Sequence, residues 1–597
     1  MLNTQKILFI LSRKERRRGV YLFILILFMA LVDMLGIASI LPFIALLTNP
    51  EIINTNNILN FLYKKVSVYG VTNEQDFLIL VGILVFFLLI VSIAIKAITS
   101  YFQSKYIRYC AYSLEKRLFE RYLYQPYSWF LNQNSSYIGK TILSESGNVI
   151  GKGLNPALTL LSNIIIFLTL FFMLLYVNIK LTLIMAVTVS SFYMIVYFLM
   201  RMLLNNIGKK NYRDNELRFR ALSEAFSATK EVKVGNLEKI FINRFSKPAR
   251  NMAYNTALAD ILSQLPRFVL EAITFGGLIL IIIFYMLAKG NITTVLPAIA
   301  LYAFAGYRLM PAIQKIFVSI TSLRISGPAI TALYNDLKKL NIKIDQNHNN
   351  EFFFDKSIKL KNIFYVYPKS SRTALKSVNL TIPAYANVGI VGETGSGKTT
   401  VIDIILGLLE AQKGVLEVDG KIINNENRTA WQSLIGYVPQ QIYLADTSVS
   451  ENIAFGLDIE EINHKKVERA AKIANLHEFI INELPSQYQT AIGERGVRLS
   501  GGQRQRIGIA RALYHKPKLL IFDEATSALD NTTERSVMEA IYNEDFKTTK
   551  ILIAHRLSTV KKCDKIFLFD KGEVKHEGNY QDLLENSDKF RLSVKNS

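Results

Sequence analysis

Six long apolar segments constrain the fold of this chain more than any other feature. A membrane-spanning helix needs roughly 20 mainly apolar residues, because each residue adds about 1.5 Å toward a hydrocarbon core about 30 Å thick. The segments that reach this length cover residues 20–47, 77–101, 158–177, 181–204, 268–287 and 295–320. The sequence therefore predicts an α-helical membrane bundle that crosses the bilayer six times.

The distribution of basic residues predicts the orientation of this bundle. The connection between the fourth and fifth segments carries Lys209, Lys210, Arg213, Arg218, Arg220, Lys230, Lys233, Lys239, Arg244, Lys247 and Arg250. Such enrichment in lysine and arginine is typical of cytoplasmic loops. By alternation, the connection between the second and third segments and both termini fall on the same side.

The excess of positive charge does not indicate a nucleic-acid partner. The chain of 597 residues has a formal net charge of +22, but its basic residues mostly flank the apolar segments. The two cysteines, Cys110 and Cys563, are far apart in the sequence and have no neighbouring metal ligands. We therefore expect two unpaired thiols rather than a disulfide framework or a zinc site.

Hydropathy falls sharply after the sixth segment, which predicts a second domain. Residues 1–340 are predicted to form the transmembrane domain, with a cytoplasmic N-terminal elbow and long intracellular helical extensions. Residues 341–355 are polar and suit a linker. In residues 356–597, short Val/Ile/Leu runs alternate with amphipathic stretches, which is typical of an α/β domain with a mainly parallel sheet.

A glycine-rich loop follows an apolar strand in this second domain. In "VGETGSGKTT", Gly392, Gly397, Lys398 and Thr399 match G-x-x-x-x-G-K-[ST], and Glu393, Thr394, Gly395, Ser396 and Thr400 complete the loop. In such a loop backbone N–H groups cradle phosphates, Lys398 reaches the β and γ phosphates of ATP, and Thr399 binds Mg²⁺. The alternative is an ordinary glycine-rich turn, which the flanking strand and helix disfavour.

Two acidic residues end a later apolar strand in "KLLIFDEATSALD". Asp523 is predicted to hold Mg²⁺, and the neighbouring carboxylate of Glu524 can orient or deprotonate an attacking water. Paired acids at the end of a strand are common in isolation. Downstream of a phosphate loop, they indicate nucleotide hydrolysis.

The segment "LSGGQRQRIGIARAL" resembles the signature of ATP-binding cassette (ABC) proteins, and the other motifs follow in that family's order. The resemblance implies an aromatic residue that stacks on adenine, Tyr367, and a Q-loop at Gln440, which also approaches the metal. It further implies a D-loop that ends at Asp530 and a switch histidine, His555. The signature residues Ser500, Gly501, Gly502 and Gln503 are implied to contact ATP.

The same resemblance implies an exporter that couples ATP hydrolysis to translocation, because six membrane segments precede the cassette on one chain. In this family ATP lies between the phosphate loop of one cassette and the signature of another. One chain has one of each, so a homodimer is expected. The segments near residues 124–132 and 223–235 are implied to couple the two domains.

Three basic residues at membrane depth are candidates for substrate binding. Lys96 and Arg308 lie in the second and sixth apolar segments, and Arg267 lies at the cytoplasmic start of the fifth. Ionisable groups at such depth are costly and often functional. Two structural alternatives remain open: Arg267 can pair with Glu271 one turn later, and Lys96 can extend to the interface. Asp33 is one candidate counter-ion for Arg308.

A cavity with surplus positive charge favours an anionic head group attached to a lipid tail. These charges and the segment "YRLMPA" resemble the bacterial flippases of lipid-linked oligosaccharides, which implies a polyprenyl-pyrophosphate-linked glycan as substrate and the bacterial inner membrane as location. A lipid A precursor, drugs and peptides are the alternatives. A non-transporting, ATP-gated channel or regulator is a further hypothesis, which Glu524, Gln440 and His555 argue against.

Overall fold

The computed structural model describes residues 2–48, 53, 57–67, 73–177, 179–287, 292–340, 352–493, 496–525, 530–542, 547–554 and 559–595. The chain forms two compact units. The first comprises Met1–Gln125 and Gln133–Ile342, and the second comprises Pro126–Asn132 and Lys343–Ser597. Cys110 and Cys563 are both buried free thiols.

The first unit is entirely helical in the part that the structure describes. Its helices are α1 (Leu2–Ile10), α2 (Arg13–Ala38), α3 (Ile40–Thr48), α4 (Asn57–Ser67), α5 (Glu74–Leu123), α6 (Ser135–Lys140), α7 (Ser146–Val149), α8 (Asn155–Val177), α9 (Ile179–Ser227), α10 (Thr229–Val234), α11 (Glu238–Leu287), α12 (Ile292–Ile325) and α13 (Gly327–Lys339). Two π-helical segments, Thr141–Glu145 and Ile150–Leu154, flank α7. Each of the six predicted apolar segments lies within this helical structure.

Four helical stretches in the described residues are long and apolar enough to cross a membrane: Arg13–Leu47, Glu74–Leu123, Ser135–Tyr176 and Ala186–Ser227. A pair bent by 53°, Leu309–Ile325 and Gly327–Lys339, could supply a fifth. The number of crossings stays a prediction, because many side chains of the last two apolar segments lie outside the described residues. Helix α5 has 50 residues, so it measures about 75 Å and extends well beyond the hydrocarbon core.

Close contacts between helices give the first unit its packing. Met29, Ile166 and Ala312 belong to one buried cluster, which brings α2, α8 and α12 together. Gly208 on α9 faces the backbone of Ile325, where a Cβ would overlap the carbonyl oxygen. Near the N-terminus, the fully buried carboxylate of Glu15 pairs with Arg117 on α5 at 3.2 Å.

The second unit contains two β-sheets and a set of helices. Its strands are β1 (Ser357–Val366), β2 (Thr373–Pro383), β3 (Asn387–Gly392), β4 (Lys413–Val418), β5 (Lys421–Ile422), β6 (Ile435–Val438), β7 (Leu519–Asp523), β8 (Thr549–Ile553), β9 (Lys565–Asp570) and β10 (Glu573–Gly578). Its helices are α14 (Tyr127–Phe130), α15 (Lys398–Ile405), α16 (Arg428–Gln432), α17 (Val449–Ile453), α18 (His464–Ile473), α19 (His477–Glu483), α20 (Gly501–Leu513), α21 (Asn531–Tyr542), α22 (Tyr580–Asn586) and α23 (Asp588–Lys595). Ile459–Glu461 and Gln487–Gln489 form short 3₁₀ turns.

The larger sheet has the order β10-β9-β3-β8-β7-β6, and all its pairings are parallel except β9 with β10. This arrangement confirms the predicted α/β domain with a mainly parallel sheet. Strand β7 is buried on both faces: Leu519 and Ile521 join one hydrophobic cluster, whereas Leu520 and Phe522 join another. Such two-sided burial explains its continuous apolar sequence. The second sheet, β2-β1-β4-β5, is antiparallel.

Candidate functional site

The glycine-rich loop connects β3 to α15 at the carboxyl edge of the larger sheet. Gly395 and Gly397 have φ angles of 77° and 105°, which favour glycine. A Cβ on Gly397 would lie 2.8 Å from the Cδ2 atom of Leu375, so this position also lacks room for a side chain. The Ser396 side-chain hydroxyl is buried and has no hydrogen-bond partner among the described residues. A phosphate oxygen bound in the loop would satisfy it.

Lys398 begins α15 and turns its ammonium group back over this loop. Its Nζ atom donates hydrogen bonds to the carbonyl oxygens of Gly392, at 2.7 Å, and Glu393, at 3.0 Å. Burial lowers the pKa of Lys398, and the nearby carboxylates of Glu524 and Asp523 oppose that effect. The three charged groups therefore interact within one site.

The two acidic residues lie at the end of β7. The Tyr437 hydroxyl, from the neighbouring strand β6, donates a hydrogen bond to Oδ2 of Asp523 at 3.2 Å. Glu524 has a φ angle of 51° and accepts a hydrogen bond of 2.7 Å from the Gln440 amide. Burial raises the pKa of Asp523, whereas the Tyr437 hydrogen bond lowers it. The structure thus brings Lys398, Gln440 and both carboxylates together.

Tyr367, the predicted adenine contact, lies beside the same loop. Its hydroxyl is 3.1 Å from Oγ1 of Thr400 on α15. Its ring meets that of Tyr365 nearly edge-on, with centroids 5.2 Å apart. The hydrogen bond ties the aromatic side chain to the beginning of the helix that follows the phosphate loop.

The signature residues begin α20. The Ser500 hydroxyl accepts from the Gln503 backbone at 3.2 Å, and the Gln503 side chain accepts from the Ser500 backbone at 2.8 Å. This capping box fixes the first turn, in which Gly501 and Gly502 lie. Asp530 accepts hydrogen bonds from the Thr532 hydroxyl and the Thr533 backbone, and these bonds hold its pKa well below the usual range. His555 lies outside the described residues.

Two residues near the site were missed by the sequence analysis, Tyr437 and Asp403. Asp403 is buried on α15, and burial followed by the charge of Asp523 raises its pKa to about 6. The sequence feature that could have identified Asp403 is a carboxylate within the apolar stretch "VIDIIL". Tyr437 carried no comparable signal, because its role depends on the pairing of β6 with β7.

The oxygen atoms at this site match the preferences of Mg²⁺. Thr399 supplies a hydroxyl, Asp523 a carboxylate, and Gln440 an amide carbonyl that its bond to Glu524 does not use. Such hard oxygen donors, together with phosphate oxygens, are typical of magnesium sites. The loop, Lys398 and these donors can therefore hold a nucleoside triphosphate with its metal ion.

A separate cavity of about 640 Å³ lies within the first unit. It is lined by Met29, Lys96, Thr99, Ser100, Gln103, Ser104, Ile107, Arg108, Ala111, Glu115, Gly147, Ile150, Gly151, Asn155, Thr159, Ser162, Asn163, Ile166 and Lys315. Lys96 was predicted, whereas Arg108 and Lys315 were missed. The spacing of three and four residues from Lys96 to Glu115 along α5 could have indicated one polar face.

The other two predicted substrate residues, Arg267 and Arg308, are not among the described residues that line this cavity. Arg267 forms an ion pair with Glu271, with 2.7 Å between Nε and Oε1, and its side chain is about half exposed. Arg308 lies on α12, but its side chain is outside the described residues. The ion pair matches the structural alternative for Arg267.

Sequence and structure comparisons agree with this architecture. The family described as "ABC transporter transmembrane region" matches residues 22–311, and "ABC transporter" matches residues 375–527. A solved chain titled "Structure of a bacterial Atm1-family ABC exporter with ATP bound" superposes with a TM-score of 0.77. That comparison covers 97% of this chain and 98% of the other at 22% identity, so it shows the fold.

Several curated relatives carry the name "ATP-dependent lipid A-core flippase". The protein of Saccharophagus degradans is 30% identical over 83% of both chains. That of Methylobacillus flagellatus is 29% identical over 83% of this chain and 85% of its own length, and that of Escherichia coli K12 is 28% identical over 82% and 84%. This chain belongs to the ABC transporter family, and it joins a transmembrane region to an ATP-hydrolysing domain in one polypeptide.

Proposed function

We propose that this protein is a homodimeric exporter that uses ATP hydrolysis to flip a lipid with an anionic head group, of the lipid A type, across the bacterial inner membrane. The main support for this proposal is the polar cavity of about 640 Å³ within the helical unit. Its volume lies within the usual range of ligand pockets.

The charges in this cavity favour an anion. Among its described lining residues, Lys96, Arg108 and Lys315 are basic and Glu115 is acidic. Charged groups in membrane helices are costly, so they occur mainly where they face a cavity or a ligand. Gln103 adds an amide that is 3.3 Å from the Thr159 hydroxyl. A phosphorylated sugar head group offers the acceptor oxygens that such a lining can bind.

The choice of lipid A over a polyprenyl-pyrophosphate-linked oligosaccharide rests on the relatives. The curated relatives that align with 83% of this chain are named lipid A-core flippases. The oligosaccharide, which the sequence favoured, therefore becomes the second candidate. Both lipids carry phosphate, so the basic lining alone is compatible with either. The identity of the sugar and the number of acyl chains would distinguish them.

The ATP site suggests a division of roles. The loop and Lys398 would bind the phosphates. Thr399, Asp523 and Gln440 would hold Mg²⁺, and Tyr367 would contact adenine. Bound Mg²⁺ would neutralise negative charge on the phosphate oxygens. Glu524 orients the attacking water and accepts its proton, and the Gln440 amide holds that carboxylate in place at 2.7 Å. His555 is expected to contact the γ-phosphate side of the site.

Two copies of the chain complete two such sites. The signature residues Ser500–Gln503 of one copy would cover the nucleotide on the other, and the D-loop residue Asp530 would lie at the same interface. The basic intracellular connections orient both termini and the ATPase unit toward the cytoplasm, where ATP is available. The helical units of the two copies would together enclose the path of the lipid.

Lipid-stimulated ATPase activity in proteoliposomes tests the substrate assignment. Wild-type protein should be stimulated by added lipid A-core at lower concentrations than by a polyprenyl-pyrophosphate glycan. Lys96→Gln combined with Lys315→Gln should raise the half-stimulating lipid A concentration at least about 10-fold, because a hydrogen bond to a charged group contributes about 1.5 to 3 kcal/mol. Translocation of the labelled lipid should slow in parallel.

Lys116→Gln is the matched control. Lys116 lies on α5 with Lys96, but it pairs with Glu120 at 3.8 Å and lies outside the described lining. Its loss should leave lipid stimulation unchanged. Arg267→Gln tests the earlier prediction, and the ion pair with Glu271 leads us to expect little effect on the lipid. Equal lipid dependence of the double variant and the wild type would contradict the proposed cavity, and stimulation only by the glycan would restore the second candidate.

A further inference from the structure

Tyr437 lies next to the catalytic machinery, three residues before the Q-loop residue Gln440, and the sequence analysis gave it no role. It lies on β6, the edge strand of the larger sheet, where it pairs in register with Ile521 of β7. Two residues beyond Ile521, β7 ends at Asp523, and the Tyr437 hydroxyl donates to its Oδ2 atom at 3.2 Å. The parallel pairing of the two strands therefore determines which tyrosine reaches this carboxylate.

We propose that Tyr437 is a positioning residue for metal binding: its hydroxyl orients the Asp523 carboxylate so that the other oxygen faces the Mg²⁺ of the bound nucleotide. The inference rests on the proposed role of Asp523 as a magnesium ligand. Residues that hydrogen-bond to metal ligands fix the orientation of those ligands, and their replacement typically lowers metal affinity or activity about 10- to 100-fold.

The surroundings of Asp523 explain why such a donor matters. Its side chain is only 6% exposed, and burial disfavours its charged form. Asp403, also buried, adds a second carboxylate close enough to interact with Asp523. Lys398 interacts favourably with Asp523, but its ammonium hydrogen-bonds to the loop carbonyls of Gly392 and Glu393. The Tyr437 hydroxyl is thus a neutral donor, held by the sheet, that keeps Asp523 oriented before the metal arrives.

A purely structural role for Tyr437 makes a different prediction. If the hydroxyl only satisfied a buried carboxylate, its removal would reduce the fraction of folded protein but leave the metal affinity of the folded fraction unchanged. If it positions Asp523, the metal affinity itself falls. Metal-free nucleotide binding should be insensitive in both cases, because the loop and Tyr367 hold the nucleotide.

The test compares Tyr437→Phe with wild type in the full-length protein. Mn²⁺ serves as the probe, and its binding in the presence of ADP is measured by electron paramagnetic resonance. We expect the Kd for Mn²⁺ to rise about 10-fold. The affinity for a fluorescent ATP analogue in EDTA should change less than about 2-fold. As a second readout, the Mg²⁺ concentration for half-maximal ATPase activity should rise similarly, and this value does not depend on how much of the protein is folded.

Two further variants make the outcomes distinguishable. Tyr488→Phe removes a hydroxyl that contacts Nδ1 of His477 at 2.8 Å elsewhere in the same unit, so it should leave Mn²⁺ binding unchanged. Asp523→Asn should weaken Mn²⁺ binding more than Tyr437→Phe does. Wild-type Mn²⁺ affinity in Tyr437→Phe, with weakened binding in Asp523→Asn, would overturn this inference alone. Wild-type affinity in Asp523→Asn would remove the proposed metal site as well.

Discussion

Asp403 makes the stability of the ATP-binding unit depend on pH. Its side chain is 8% exposed, and burial followed by the charge of Asp523 raises its pKa from 3.8 to about 6. The native state therefore binds this proton more tightly than the unfolded chain does. Between pH 4 and pH 6 the native state holds more protons, so the contribution of Asp403 to stability falls as the pH rises.

The size of the effect follows from the shift in pKa. About two pKa units correspond to an upper bound of about 3 kcal/mol, and residual solvent contact and relaxation reduce the expected value to about 1 to 2 kcal/mol. Asp403→Asn removes the charge and should stabilise the unit by this amount above pH 6. Near pH 4 the gain should largely disappear, because the native wild-type carboxyl is then neutral.

Intrinsic tryptophan fluorescence provides the assay. The chain has 2 tryptophans, Trp129 and Trp431, and both belong to the second unit. Thermal unfolding of the full-length protein should be followed between pH 4.5 and 7.5, with EDTA and no nucleotide. The Asp403→Asn protein should melt about 2 to 10 °C higher at pH 7.5, and this difference should shrink as the pH falls. A difference that is independent of pH, or a loss of stability at pH 7.5, would contradict a destabilising charge on Asp403.

Two further predictions concern the ATP site. Glu524→Gln should retain ATP binding but lower steady-state hydrolysis at least about 100-fold, because the amide keeps the bond partner of Gln440 and loses the base; near-normal turnover would contradict the assignment. Gly397→Ala should weaken ATP binding far more than Gly395→Ala, as measured by titration with a fluorescent analogue. Both glycines have positive φ, but a Cβ on Gly397 meets Leu375 at 2.8 Å, whereas one on Gly395 lies 3.9 Å from Arg372. Equal effects would show that backbone conformation alone matters.

The parts of the fold that depend on local sequence could be predicted. Apolar length predicted the helices, and a continuous apolar run such as "LLIF" predicted a strand, which the structure buries on both faces. The phosphate loop could be located because its glycines and Lys398 are contiguous in the chain. Asp523 could be placed beside it, because the carboxyl ends of parallel strands meet at one edge of a sheet.

Other features depend on contacts between distant residues. The antiparallel sheet β2-β1-β4-β5 pairs Ile358 with both Ile382 and Val418, and alternation alone does not identify such partners. The bond from Tyr437 to Asp523 joins residues 86 positions apart. It requires that β6 lie next to β7, although the signature and several helices separate these strands in the sequence. Pairing of this kind is specified by the whole sheet and not by either strand.

The roles of the basic residues in the membrane region also depend on contacts that the local sequence does not specify. Arg267 and Glu271 are four residues apart, so helical geometry alone brings them together, and the structure contains this ion pair. The position of Arg267 at the start of an apolar segment suggested a substrate role. Whether a residue can bind substrate also depends on which face of the helix it occupies. Lys96 shares its face of α5 with Gln103 and Arg108, and Lys315 joins them from α12. Because a cavity is enclosed by faces from several helices, its charge is set by packing, and we therefore expect lipid selectivity to follow Lys96 and Lys315 rather than the number of arginines in the membrane segments.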